Sequence, residues 1–387
     1  MARKSAGEAV SIVGVSTFDN ARAHAAEQRE ATTLAYAITC GSVYAHGLAY
    51  PVPGVLPAGE AAITALAVGA EGKVFGVTSG RRAHLFWMPR PLLIAAIGAI
   101  DGVSQAAEGL VLGPDGFLYG AARDGGGPLF RHSLATDFVG LYRTRSAPIE
   151  MLRAPFKDDG VVSLSLSEDQ TTIAGLGERT GRPFLYSLKT GRVKALPRPG
   201  PENEAMGRVL CPAGNGFYGS GADGQLFHLS VEGDVEWLDA ALPSRRGKAY
   251  LARAHAFLRA RSGRIYGGTE DGYLFSFDPL ARRLVSHGRP CDIPDLHALA
   301  EGSDGSIYGL VGREKDVTHL VRFRPAAAEW TDLGMFQSYG HYPWLGYQVR
   351  ALVAGQDGQL YAGEHDRFGH LFIYHPGAAP ELCQSNP

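Results

Sequence analysis

Eleven residues ahead of a recurrent aromatic, or of the alanine that replaces it once, stand Thr64, Glu108, Ser163, His255, His297 and Arg350; ten residues ahead of another copy stands Arg208. Two imidazoles, two guanidiniums and a carboxylate at equivalent positions form the mix of titratable groups that a catalytic cleft uses. An imidazole titrates near neutrality and can take a proton from carbon, and a guanidinium can neutralise the enolate-like charge that results. The chemistry suggested is proton abstraction beside a carboxylate or carbonyl, with His255 or His297 as base and Arg208 and Arg350 holding the anion. A hydrolase using the same histidines is a neighbouring reading. Glu108 has no partner acid across the ring, which disfavours a glycosidase built on paired carboxylates.

Two further stretches stand beside this set. "EHDR" at 364–367 replaces the plain turns found elsewhere and supplies His365 and Arg367 as candidate substrate contacts. "MFQSYGHYPWLGYQVR", 335–350, is rich in aromatics: Trp344 suits stacking on a weakly polar ligand face, and Tyr339 or Tyr347 can return a proton to a leaving oxygen. His84, His319 and His370 occupy one position before a strand, which inheritance within a repeat explains. A metal-dependent variant would draw three ligands from His255, His297, His365, His370 and Glu108, but no HExxH or His-x-His spacing supports it, and the expectation is an enzyme without a cofactor.

The elements that must position these side chains follow from the recurrence itself. The anchors are Phe75, Tyr119, Ala174, Tyr218, Tyr266, Tyr308 and Tyr361, at intervals of 44, 55, 44, 48, 42 and 53 residues. Each follows an apolar strand and a turn such as Asp115-Gly116, Asp304-Gly305 or Asp357-Gly358, and precedes a strand containing "LF" or similar. A weaker fourth strand completes most copies. Units of four antiparallel strands at this period predict an all-β, seven-bladed β-propeller, in which the seven aligned residues converge at the mouth of the central channel. Blade seven lacks a fourth strand, and residues 9–18 are expected to supply it and close the ring. The chain then reads as one domain: closing strand 9–18, a capping excursion 19–63 with a short helix in "ARAHAAEQREA", blades over 64–376, and a tail 377–387. "CGSVYAHG", 40–47, is the alternative beginning of a vestigial eighth blade.

The repeat pattern resembles that of seven-bladed propellers over nearly the whole chain. With its His, Tyr and Arg at the mouth, it is similar to propeller-type polysaccharide lyases acting on uronic-acid sugars, such as ulvan and rhamnose-glucuronate lyases. That resemblance implies His and Tyr as proton-transfer groups, Arg on a uronate carboxylate, and a small anionic or sugar-like substrate. The alternative from a different class is a non-catalytic propeller that binds sugar or protein through its rim.

Composition narrows the partners. Gly is 51 of 387 residues and the formal charge is −2 with both signs interspersed, so no basic stripe that would grip nucleic acid is visible. The longest apolar run, "PLLIAAIGAI" at 91–100, is about half of what a membrane span needs. Cys40, Cys211, Cys291 and Cys383 show no CxxC spacing and read as free thiols, and the N-terminus lacks the pattern of a cleaved leader; a cytoplasmic protein is expected.

Overall fold

The structure, a computed structural model, describes residues 14–17, 33–38, 41–49, 54–90, 93–135, 137–140, 143–145, 147–201, 204–313, 315–338 and 344–376. Their strands form the expected all-β, seven-bladed propeller of four-stranded antiparallel blades. The innermost strands are Ala62–Val68, Val111–Leu112, Val161–Leu166, Cys211–Ala213, Ala254–Arg259, Leu296–Glu301 and Val349–Ala354.

Blade five shows why the sequence makes this unit. Its strands Ala254–Arg259, Ile265–Thr269, Leu274–Asp278 and Arg283–Gly288 alternate side chains between two faces. Ile265, Phe275 and Phe277 pack toward blade four, whereas Tyr266 and Leu274 pack toward blade six. A blade buried on both faces needs a neighbour on each side, and seven apolar clusters fill the seven interfaces around the ring. Each large side chain so buried contributes roughly 1.5–3 kcal/mol.

The glycine after the anchor has a packing cause. A Cβ at Gly267 would stand 2.1 Å from Phe275 Cζ, at Gly120 2.2 Å from Phe130 Cζ, and at Gly219 2.3 Å from Phe227 Cζ. In five blades the phenyl ring of the third strand thus sits against the backbone of the second, whereas blade six pairs Gly309 with Val321 and blade seven pairs Ala362 with Phe372. In the turns, Gly305 and Gly358 have φ of 78° and 85°, a left-handed conformation that glycine adopts without steric cost.

The ring closure differs from the expectation. The strand paired with His370–Pro376 is Gly41–Gly47, in register from Gly41 opposite Pro376 to Gly47 opposite His370. The segment weighed as a vestigial blade is therefore the fourth strand of blade seven. Gly14–Thr17, the described part of 9–18, lies further out, paired with Thr33–Ile38. Proximity along the chain explains the choice: Gly41–Gly47 leads directly into blade one through Leu48 and Ala49, whose N–H groups donate to Gly369 and Phe368 carbonyls at 2.8 and 3.0 Å. The stretch expected to be helical, 21–31, and the tail 377–387 lie outside the described residues. No helix among the described residues is long and apolar enough to cross a membrane.

Candidate active site at the channel mouth

A recurring irregularity aims the ring residues. The inner strands slip register by one residue against their partners between Ile63 and Ala65, Ala254 and Ala256, Leu296 and Ala298, and Val349 and Ala351. The extra residues are Thr64, His255, His297 and Arg350. A bulged residue leaves the ladder and its side chain is redirected, which turns these four toward the channel. In blade three the slip falls at Val162, beside Ser163.

Thr64, Glu108, Ser163, His255, His297 and Arg350 line one cavity of about 210 Å³, above the apolar wall formed by the rest of the inner strands. Arg208 joins Thr64, Glu108 and Arg350 around a smaller adjoining space that also receives Arg123 and His365 from the ends of second strands. Backbone bonds stitch the mouth from blade to blade: Glu108 N–H donates to Val162 O at 2.7 Å, Arg208 N–H to Ala254 O at 3.0 Å, and Ser163 Oγ–H to Arg208 O at 2.6 Å.

The arginines at the mouth are paired with carboxylates, with one exception. Glu108 accepts from Arg208 at 3.0 Å and from Arg123 at 3.4 Å, and Arg123 also grips Glu178. Burial opposes ionisation of Glu108, but Arg208, Arg350 and Arg123 outweigh it and hold its carboxyl below the usual range. Glu270 is bound by Arg253. Arg350 alone makes no hydrogen bond or ion pair among the described residues, although it lines both spaces.

The two histidines are held differently. His255 Nδ1 lies 2.7 Å from Asp295 Oδ1, and its Nε2 is 3.7 Å from Glu270 Oε2, too far for a hydrogen bond. Burial raises the cost of ionising Asp295, but the bond from His255 and the charges around it keep its carboxyl below the usual range. A carboxylate accepts only, so Nδ1 carries a proton, and in the neutral form of the ring the lone pair is then on Nε2. The side chain of His255 remains 13 % exposed. His297 instead has Nδ1 3.1 Å from Asp295 O and Nε2 2.9 Å from Val349 O. Burial, with Arg350 beside it and against the pull of Asp295, pushes its pKa down. Each nitrogen faces a carbonyl, only one of which a neutral ring can donate to, and the side chain spans blades six and seven as a strut.

Asp295 was not singled out by the sequence reading. It sits just before the inner strand of blade six with φ of 69°, a left-handed conformation uncommon outside glycine. Its N–H donates to Glu270 O at 2.9 Å and its carbonyl accepts from Gly312 N–H at 3.1 Å, so the strain is held in place by both neighbours. The signal was present as "PDLH": an acid two residues before a ring position.

The remaining predicted residues are more scattered. His365 reaches the mouth, with its N–H donating to Gln348 O at 2.6 Å. Arg367 lies over the Phe368 ring at 4.8 Å and lines neither space. Tyr347 also lines neither, and is 43 % exposed. Tyr339 lies outside the described residues, as does the side chain of Trp344. His84, His319 and His370 each meet a carboxylate: Glu60 at 2.7 Å, Asp332 at 3.0 Å and Glu364 at 2.5 Å.

Among the described residues, one trio could hold a metal: Glu364, Asp366 and His370 bring ligand atoms within 4.8 Å of one another. Their oxygens are already engaged, Glu364 by Tyr347 N–H and His370, and Asp366 by the N–H groups of Phe368 and Gly369. An ion would have to displace the His370 proton. The trio includes neither His255 nor His297.

Comparison with known proteins places the fold. No family model matches the chain, and no curated protein does. Among solved structures, a streptogramin B lyase superposes with a TM-score of 0.65 at 10 % identity, covering 86 % of this chain and 98 % of that one. A catalytically inactive histidine-to-alanine variant of virginiamycin B lyase from Staphylococcus aureus, with quinupristin, gives 0.62 at 9 % identity over 86 % and 99 %. The WD40 β-propeller domain of Doa1 gives 0.56 at 11 % identity over 82 % and 94 %. The lyase propellers found this way are thus a streptogramin B lyase and a virginiamycin B lyase rather than the polysaccharide lyases the sequence resemblance named. With 1346 solved chains resembling it, the fold alone leaves function to be argued from the site. What the chain shares with these proteins at such identity is the seven-bladed propeller.

Proposed function

We propose that the protein is a lyase that removes a proton beside a carboxylate or carbonyl held at the channel mouth, on a uronate-like sugar or a similar anionic substrate. The observation that carries this reading is Arg350: a guanidinium without an ion-pair partner, in the cavity that also holds His255. The other arginines at the mouth, Arg208, Arg123 and Arg253, are each held by a carboxylate, so Arg350 is the guanidinium that a bound anion can take without displacing a partner.

The step balances without a cofactor. His255 Nε2 takes the proton from the carbon adjacent to the carboxylate. The electrons of that C–H bond form a C=C bond as the C–O bond beyond it breaks, and its electron pair stays on the leaving oxygen. The imidazolium then returns the proton to that oxygen. Asp295 fixes the tautomer of His255 and stabilises the imidazolium, and Arg350 stabilises the enolate-like charge. Arg208 is committed to Glu108 and acts by shaping the mouth.

The test is direct: wild type and the variants His255→Ala, His297→Ala and Arg350→Ala are incubated with uronate-containing oligosaccharides, and the ultraviolet absorbance of an unsaturated product is followed. Loss of signal in His255→Ala and Arg350→Ala with folding intact supports the reading. An inactive wild type, or a His255→Ala variant as active as wild type, sinks it.

A further inference from the structure

Six large hydrophobic side chains are exposed among the described residues, and two of them are aromatics on connections that enter inner strands. Tyr250, 62 % exposed, precedes His255 by five residues; Tyr347, 43 % exposed, precedes Arg350 by three. Such connections open on the mouth face. Blades five and seven lie on either side of blade six, so these tyrosines flank the arc His255, His297, Arg350.

The backbone that carries each is anchored. The N–H of Tyr347 donates to Glu364 Oε1 at 3.0 Å, its carbonyl accepts from Thr318 Oγ1 at 3.4 Å, and the neighbouring Gly346 N–H donates to Phe336 O at 2.7 Å. Tyr250 sits in the 3-10 turn Ala249–Leu251. That turn is tied to the buried Asp271, whose N–H donates to Leu251 O at 3.1 Å and whose carboxylate accepts from Arg245 N–H at 2.9 Å and Nε at 2.8 Å. Neither tyrosine ring stacks on another aromatic and neither hydroxyl is hydrogen-bonded among the described residues. Trp237, the other exposed aromatic, differs: it packs edge-on against Phe227 on an outer strand. Apolar ring faces carried on an anchored backbone and left open are surface a ligand can cover.

We infer that Tyr250 and Tyr347 are specificity-determining contacts of the mouth, and that the substrate is a chain of sugar rings extending beyond the reacting unit on both sides. This rests on the lyase reading for the identity of the reacting unit, but not for binding itself. Each phenol covers the weakly polar C–H face of a flanking ring, while Arg350 takes the carboxylate between them.

The experiment uses His255→Ala, which lacks the base and so holds substrate uncleaved. Galacturonate and rhamnose-glucuronate oligomers from dimer to hexamer are titrated calorimetrically into it, alone and with Tyr250→Ala, Tyr347→Ala or the corresponding Phe changes. Affinity is expected to rise with oligomer length. Each Tyr→Ala change should weaken binding of the long oligomers by roughly two- to twelvefold, leave the dimer unaffected, and be rescued by Phe. Affinity independent of length, equal weakening at every length, or no binding of any oligomer overturns the inference. Active wild type with length-independent binding would remove the tyrosine contacts and keep the lyase; length-dependent binding without turnover would do the reverse.

Discussion

Nδ1 of His255 lies 2.7 Å from Oδ1 of Asp295, an acid forty residues later in the chain and one blade further round the ring. The bond crosses the interface between blades five and six, so docking of the two blades completes the base. Replacing Asp295 by Asn keeps the shape but removes an acceptor that can only accept. Nitrogen NMR of the His255 ring should then lose its preference for the Nδ1–H form. Elimination should slow by roughly 10²–10⁴ if the tautomer is what makes His255 a base, with KM little changed. An unaltered tautomer and rate would assign Asp295 to blade docking alone.

Arg350 and Arg208 should respond in opposite ways. Arg350 has no partner to abandon, so Arg350→Ala should change stability by about 0.5 kcal/mol or less while abolishing anion binding. Arg208→Ala leaves Glu108 short of its strongest partner in a half-buried site and should cost roughly 1–3 kcal/mol. The sign with pH follows. Glu108 is held below its ordinary value, so its contribution is full above that value and disappears as pH falls through the lowered one. Denaturant titrations at neutral pH and in acid should show the Arg208→Ala defect at the first and its loss at the second.

The His319–Asp332 pair carries the opposite dependence. The bond to Asp332 raises the pKa of His319 against burial, so its contribution is complete below about 6.5, the ordinary histidine value, and fades as pH rises through the raised one. Because both groups are partly exposed, the effect should be about 1 kcal/mol or less. Melting curves of wild type and Asp332→Asn should differ at pH about 6 and converge in alkali; a gap that widened in alkali would contradict the assignment.

Most of the architecture was legible because a repeat prints its own rules several times. Six aromatics and the alanine that stands in for a seventh, with their turns and third strands, fixed blade number, strand order and the mouth positions, and the structure brings all seven aligned residues to the mouth. What a repeat cannot show is what breaks it. Asp295 reaches the site through a left-handed residue outside the aligned strand, and its partner lies in the previous blade. His255 and His297 look equivalent in sequence, yet one ends on a carboxylate and the other on two carbonyls. The ring closure was misplaced because Gly41–Gly47 and residues 9–18 have similar strand composition; the short path from Gly47 into blade one decides between them.

The glycine under the phenyl ring offers a test of the repeat itself. At Gly267 the space a methyl would take is 2.1 Å from Phe275 Cζ, and Phe275 is fully buried between blades four and five. The ring cannot retreat without disturbing Leu226 and Ala254, which pack in the same cluster. Gly267→Ala should therefore destabilise by roughly 1–3 kcal/mol, the range for overpacking a filled core. The double variant Gly267→Ala, Phe275→Leu should recover part of that loss, because the branched side chain no longer lies flat over residue 267. Phe275→Leu alone should be destabilising, so the two changes together should cost less than the sum of their separate effects. Denaturation midpoints for the four proteins close the cycle; simple additivity would mean that the glycine is kept for a reason other than the ring above it.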